Sequence, residues 1–275
     1  MDVATGAGRV RGEWALPAGA EGPARLDEGV LLYLHGSAFA VASARTHRGI
    51  TSRLATATGR PVFACDYRLA PTHRFPAAAQ DVAAAHAWLV AQGVDARRIV
   101  VAGDSAGGHL AVDLGATLRD AGEQLPAGFA LFSPLIDLSL DRARHRERAV
   151  MPDPMLSADR AARLLAHHLG EADPTSPRLR FDAATVHGLG PFLIHAGGAE
   201  MLADDATHLA DLVRAAGGRV QLRIWPGQVH VFQALSAVLP EASVALAEAA
   251  AFVRVCLDEQ PATDVRAIAG EVAAP

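Results

Sequence analysis

The chain contains no lysine, because all 25 of its basic residues are arginine. A pyridoxal phosphate enzyme needs a lysine for its Schiff base, so this class is excluded. The phosphate-binding loop of ordinary nucleotide triphosphatases also needs a lysine, which excludes that class as well. The net charge of −5 gives no indication of a polyanionic partner such as nucleic acid.

Cysteine and long apolar runs are also scarce. The two cysteines, Cys65 and Cys256, lie far apart without the spacing of a metal site, and we interpret them as small buried apolar residues. No apolar run approaches about 18 residues, and the first residues lack the apolar core of a signal peptide. These absences predict a cytoplasmic protein that does not insert into a membrane.

Charge is interleaved with apolar residues, and 51% of the chain is hydrophobic, enough for a large core. Several arginines are flanked by acids and apolar residues, which is typical of a solvated surface. They are Arg45, Arg48, Arg53, Arg142, Arg144 and Arg146.

Short apolar runs alternate with alanine-rich stretches of helical periodicity that end at glycine. The strand candidates are residues 8–16, 30–35, 60–67, 98–104, 128–134, 191–197 and 220–227. The helix candidates are residues 46–59, 78–93, 107–122 and 204–218. This alternation predicts a single α/β domain over residues 1–275, with a mostly parallel sheet and helices on both faces.

One region departs from the alternation. Residues from about 137 to 190 are charged and punctuated by proline, with one predicted helix near Ser157–Gly170. We expect this segment to be an insertion that lies over the sheet. The small and polar residues from Gln260 to Pro275 predict a loosely held tail.

The strongest motif is Gly103-Asp104-Ser105-Ala106-Gly107, which fits G-x-S-x-G between an apolar strand and a helical stretch. This is the context of a nucleophile elbow, in which a serine hydroxyl stands on a sharp turn. The alternative is a glycine-rich turn of a dinucleotide-binding fold, but the G-x-G-x-x-G pattern is not matched. Ser105 is therefore the predicted nucleophile.

A serine nucleophile needs a base and a carboxylate that orients the base. His230 follows the last predicted strand among apolar residues, which suits a neutral imidazole. Seven other histidines are interpreted as packing or surface residues: His47, His73, His86, His145, His167, His168 and His208. Glu200 follows the Gly197-Gly198 turn at the end of the predicted strand 191–197. Asp204 and Asp205 fit the N-cap of the next helix. Spacing favours Glu200 but leaves the two aspartates open.

Taken in order, these segments resemble the hormone-sensitive-lipase-like family of α/β-hydrolases, in particular its bacterial carboxylesterases and lipases. The motifs are HGSAF, YRLAPTHRFPAA, GDSAGG, SPLIDL, GGAEMLADD and PGQVHVF. The resemblance implies an α/β-hydrolase fold, Ser105 as nucleophile, Glu200 as acid and His230 as base. It also makes the insertion at about 137–190 a cap; because Met1 lies close to the first strands, we expect only a partial helical cap.

The family's HGGG motif is replaced here by His35-Gly36-Ser37-Ala38. The residue after a nucleophile supplies one oxyanion donor, which is the N–H of Ala106, and an earlier loop supplies the others. By match to the family's glycines, the other donors are the N–H groups of Ser37 and Ala38. We expect their Cβ atoms to exclude the positive φ values that glycine would allow.

The predicted activity is hydrolysis of short- to medium-chain carboxylic esters through an acyl-enzyme, with no metal or organic cofactor. The expected partner is a small ester, and homodimers are common in the family that the chain resembles. Two alternatives stay open: a non-catalytic ligand receptor on the same fold, and an amide or thioester hydrolase with the same triad.

Overall fold

The computed structural model describes residues 1–5, 8–20, 22, 26–173 and 176–258. Eight strands in these residues form one sheet in the spatial order β1-β2-β4-β3-β5-β6-β7-β8, in which β2 runs antiparallel to both neighbours and the other pairs are parallel. The strands are β1 (Asp2–Thr5), β2 (Gly8–Ala15), β3 (Val30–Leu34), β4 (Val62–Cys65), β5 (Ile99–Asp104), β6 (Gly128–Phe132), β7 (Phe192–Gly197) and β8 (Val220–Trp225).

Helices cover both faces of this sheet. They are α1 (Arg48–Thr58), α2 (Ala77–Ala91), α3 (Ala106–Asp120), α4 (Asp141–Ala149), α5 (Ala158–Leu169), α6 (Ala183–Val186), α7 (Ala203–Ala215) and α8 (Pro240–Asp258). One core layer lies between the sheet and α2, α3 and α7, and the other lies against α1 and α8. None of the helices in the described ranges combines the length and the apolar character needed to cross a bilayer.

The central strands are continuous apolar runs because both of their faces are buried. In β3, Val30, Leu32 and Leu34 enter one core layer, while Leu31 and Tyr33 enter the other. Side chains of a strand alternate between faces, so each layer receives every second residue. Parallel pairing then aligns the carboxyl ends of β3, β5, β6, β7 and β8 along one edge of the sheet.

All seven predicted strands and all four predicted helices are present. The sequence analysis missed β1 and α8. Strand β1 lies at the edge of the sheet with alternately exposed and half-buried side chains, so it carries no apolar run. Helix α8 begins at a proline, which suits the first helical position, and is rich in alanine, so its signals were present.

Residues 137–190, called the cap segment below, contribute no strand to the sheet. The segment contains α4 and α6 in addition to the predicted helix, which is α5. An isolated bridge between Asp137 and Arg180 closes its base. Both cysteines are buried, as predicted, and they form no disulfide. The predicted tail at residues 260–275 lies outside the described residues.

Candidate active site

Ser105 stands on the sharp turn between β5 and α3. Its backbone has φ 52° and ψ −119°, a conformation that costs free energy and persists only when its surroundings fix it. The fixing contacts are hydrogen bonds from the Ser105 N–H to the Phe132 carbonyl (2.9 Å) and from the Leu135 N–H to the Ser105 carbonyl (3.0 Å). The turn therefore holds the serine at the carboxyl edge of the sheet.

The glycines beside Ser105 allow the close approach of backbone segments. A Cβ on Gly103 would lie 2.9 Å from the Leu34 carbonyl oxygen, and one on Gly107 would lie 2.8 Å from the His35 carbonyl oxygen. Real Cβ atoms do not tolerate such contacts, so only glycine fits at both positions. The motif is thus required by the packing of β3 against the turn.

Glu200 is buried at 1% exposure and contacts His230. Its Oε1 lies 3.5 Å from Nδ1 of His230, and its Oε2 accepts hydrogen bonds from the Ser133 hydroxyl (2.7 Å) and the Gly197 N–H (2.8 Å). A buried carboxylate needs such donors. The structure therefore brings together the predicted acid and base, each on a loop after a strand.

His230 follows β8 and the turn at Pro226-Gly227, and its side chain is 11% exposed. Burial disfavours the imidazolium, but the Glu200 carboxylate, with smaller contributions from Asp104 and Asp153, outweighs burial and raises the pKa of His230. This environment stabilises the charged form that a general base acquires when it takes a proton.

The loop after β3 lies against the turn that carries Ser105. A Cβ on Gly36 would be 2.9 Å from the Cβ of Ser105. Our expectation for the backbone of this loop was wrong: Ser37 has φ 85° and Ala38 has φ 53°. The loop is held in this left-handed conformation by hydrogen bonds from Ala40 N–H to the Ser37 carbonyl (3.1 Å) and from Ala70 N–H to the Phe39 carbonyl (2.9 Å).

Known proteins are similar to this chain in sequence and fold. A family model described as the alpha/beta hydrolase fold matches residues 31–234. The chain belongs to this family. An acetyl-hydrolase of Streptomyces hygroscopicus is 39% identical over 258 residues, which cover 94% of this chain and 84% of that protein. The esterase LipU of Mycobacterium tuberculosis is 35% identical over 89% of this chain and 82% of its own length.

Solved structures agree with these relatives. An esterase from the bacterial hormone-sensitive lipase family has a TM-score of 0.83 and 39% identity to this hydrolase, over 90% of this chain and 82% of that one. The fold class and the family predicted from the motifs are therefore confirmed. The chain is an α/β-hydrolase of the bacterial hormone-sensitive-lipase-like group.

A buried polar cluster under the HGSA loop of this hydrolase was missed by the sequence analysis. Asp104 accepts a hydrogen bond from the Tyr33 hydroxyl (2.6 Å), and its Oδ1 lies 3.4 Å from Nε2 of His47. Burial opposes charge on both groups, but their pairing outweighs burial, lowering the pKa of Asp104 and raising that of His47. His47 is thus an ion-pair partner and not the packing or surface residue that we predicted.

Asp204 and Asp205 do not serve as the N-cap of α7, which is Leu202. Asp205 is buried at 1% exposure, and its Oδ2 accepts the N–H groups of Ile136 (2.7 Å) and Asp137 (2.9 Å). Asp204 instead pairs with Arg146 at 2.7 Å. The N-cap prediction is wrong because both side chains turn toward the start of the cap segment.

Proposed function

We propose that this α/β-hydrolase cleaves short- to medium-chain carboxylic esters with a triad of Ser105, His230 and Glu200. Its family makes it an ester-bond hydrolase. The observation that carries the triad is the contact between Glu200 Oε1 and His230 Nδ1, on loops at the same sheet edge as the Ser105 turn. No other carboxylate of the 200–205 loop contacts His230 within the described residues.

In this mechanism the Ser105 hydroxyl attacks the ester carbonyl while His230 takes its proton. Glu200 fixes the imidazole through Nδ1 and stabilises its charged form. The imidazolium then gives the proton to the leaving alcohol, and an acyl-enzyme remains on Ser105. Water, deprotonated by His230, attacks the acyl group and regenerates the free serine.

The oxyanion of each tetrahedral intermediate would be held by the N–H groups of Ser37, Ala38 and Ala106. Two observations support this assignment. The 36–38 loop lies against Ser105, and these three amides donate to no other group in the part of the chain that the structure describes. Ala106 is buried and Ser37 and Ala38 are half-buried, and unpaired amides in such a place are suited to a developing negative charge.

A preference for acyl chains from about acetyl to octanoyl is our further prediction, since a short tail needs little apolar wall. Three apolar side chains near Asp153, whose carboxylate accepts the Met201 N–H, are exposed: Val150 at 61%, Met151 at 45% and Met155 at 58%. They would offer an ester an open surface and not a closed tunnel. One relative is named an acetyl-hydrolase, which agrees with short acyl groups.

The decisive experiment compares wild type with Ser105→Ala on a series of p-nitrophenyl esters and with a fluorophosphonate probe. We expect the wild type to react with the probe and to prefer short chains, and Ser105→Ala to lose both reactions while keeping its melting temperature. Hydrolysis by a pure Ser105→Ala protein would refute the nucleophile. Faster turnover of long-chain triglyceride than of butyrate esters would refute the chain-length preference.

The same experiment separates the alternatives. A receptor on this fold would bind esters without turnover or probe labelling, whereas an amidase or thioesterase would label and prefer anilide or thioester substrates. The cytoplasmic location and the homodimer stay predictions from the sequence.

A further inference from the structure

The cap segment reaches the loop that carries Glu200, residues 197–204, which we call the acid loop. Arg146, on α4 of the cap segment, donates three hydrogen bonds into it. Its Nε donates to the Glu200 carbonyl (2.8 Å), one terminal nitrogen donates to the Gly198 carbonyl (2.7 Å), and the other donates to the Asp204 carboxylate (2.7 Å). The arginine therefore binds the backbone on both sides of Ala199.

This environment differs from the solvated surface that we predicted for Arg146. The side chain is only 13% exposed. Arg144 on the same helix is 31% exposed, and the described residues that it contacts all belong to the cap segment. A planar guanidinium can satisfy several acceptors at fixed angles, and such charge-assisted bonds are about twice as strong as neutral ones. Arg146 is thus built into the acid loop.

A carboxylate of the cap segment holds the next residue of the acid loop. Asp153 Oδ2 accepts the N–H of Met201 (2.8 Å), and Oδ1 accepts the N–H groups of Met155 (2.7 Å) and Leu156 (2.9 Å). Carbonyl groups around Glu200 are therefore bound by a cation, and the amide after it is bound by an anion. Both partners come from the cap segment.

We propose that Arg146 and Asp153 are positioning residues for Glu200, an inference that rests on the proposed triad. The Glu200–His230 contact of 3.5 Å is at the long end of a hydrogen bond, so a small shift of the acid loop breaks it. Strand β7 ends at Gly197, and the N–H groups of Gly198 and Ala199 still donate to the carbonyls of Trp225 (2.7 Å) and Gln228 (2.9 Å). Glu200 and Met201 lie beyond these bonds and need a further constraint. The two charged side chains supply that constraint from the cap segment.

A merely structural role would hold the cap segment in place without affecting His230. The two roles differ in the protonation of His230, whose charged neighbours are Glu200, Asp104 and Asp153. A displaced Glu200 carboxylate would stabilise the imidazolium less and lower the pKa of His230. Loss of the Arg146 positive charge alone would raise the pKa of His230. A lowered pKa of His230 in the variant therefore indicates a displaced Glu200, and a raised pKa indicates only the lost charge.

The test compares Arg146→Met with Arg146→Lys and with the control Arg148→Met, an exposed arginine on the same helix. We expect Arg146→Met to lower kcat on p-nitrophenyl acetate by roughly ten- to hundred-fold, because a misplacement of about 1 Å can cost about 10²-fold. KM should change little, and the acidic limb of the kcat/KM profile should move to lower pH. Arg146→Lys should restore part of kcat, and Arg148→Met should match wild type.

Glu200→Gln and the double variant Arg146→Met/Glu200→Gln separate this inference from the triad itself. If Glu200→Gln is as active as wild type, the triad is wrong. If Glu200→Gln is inactive but folded Arg146→Met keeps the wild-type kcat and pH profile, the positioning role is wrong. We expect the double variant to be about as slow as Glu200→Gln alone. If Arg146→Met does not fold, Asp153→Asn replaces it, and an unchanged kcat there would overturn the proposal.

Discussion

The Ser133 hydroxyl joins the two loops that carry Glu200 and His230. It donates to Glu200 Oε2 at 2.7 Å and accepts the Val231 N–H at 3.0 Å. Ser133 is fully buried and has φ 48°, with its own N–H bonded to the His195 carbonyl at 2.6 Å. One hydroxyl therefore connects the acid loop to Val231, the residue after the proposed base His230.

Ser133→Ala removes a donor to Glu200 and leaves the Val231 N–H without its acceptor. A buried group left without a partner costs about 1–3 kcal/mol, so urea unfolding should show a loss of that size. We expect kcat to fall roughly tenfold or more, because both loops lose their common contact. Ser133→Gly, which relieves the positive φ but lacks the hydroxyl, should be equally slow. Ser52→Ala, at an exposed position of α1, should match wild type.

Glu200→Gln should lower kcat by several orders of magnitude, since loss of the orienting carboxylate has cost about 10⁴ in another triad. Asp204→Asn should instead lower stability by less than about 1 kcal/mol, because its ion pair with Arg146 is partly exposed. Steady-state kinetics and urea unfolding of both variants show which of the two carboxylates orients His230. A reversal of the two phenotypes would mean that Asp204 is the acid.

The pH profile of kcat/KM should report His230. A general base works in its neutral form, so activity should fall as the pH drops through its pKa. The raised pKa of His230 places this acidic limb above the value of about 6.5 for a free imidazole. In Glu200→Gln the limb should move to lower pH. A limb that stayed in place would show that Glu200 does not act on His230.

The sequence predicts the fold of this hydrolase well because the signals are local. Continuous apolar runs such as β3 require burial on both faces, and glycines such as Gly107 mark close packing. Arg146 and His47 could not be assigned in this way, because an arginine among acids looks the same whether it is solvated or bound to carbonyl groups 52 and 54 residues away. Long-range polar contacts leave no periodic trace in the sequence.

Asp205 should make stability depend on pH. Burial raises its pKa to about 7, so between its ordinary value near 3.8 and about 7 the folded state binds a proton that the unfolded state has lost. Stability contributed by this group is therefore lost as the pH rises through that window. Relative to wild type, Asp205→Asn should gain stability between pH 5 and pH 8. Asp211→Asn, an exposed carboxylate on α7, is the control and should show no such trend.

The positive φ values of Ser37 and Ala38 predict how glycine at these positions affects stability. Both residues already occupy positive φ, so glycine would fit their conformation without strain, whereas an L-residue there costs roughly 1–2 kcal/mol. We expect Ser37→Gly and Ala38→Gly to leave the melting temperature unchanged or raised. Ala40→Gly in the same loop, where φ is not positive, should lower stability by about 0.4–1 kcal/mol through the unfolded chain.

Ser37→Gly and Ala38→Gly also test how much space the 36–38 loop leaves beside Ser105, the proposed nucleophile. The loop lies against Ser105, so removing both side chains frees volume where the alcohol group of an ester would pass in the proposed mechanism. The ratio of kcat/KM for a tertiary-alcohol acetate to that for a primary acetate should therefore rise in Ser37→Gly/Ala38→Gly. Proline at position 38 is not a usable probe, because its φ near −65° cannot replace the φ of 53° found there. An unchanged ratio would place the 36–38 loop away from the reacting carbonyl and remove Ser37 and Ala38 from the oxyanion hole.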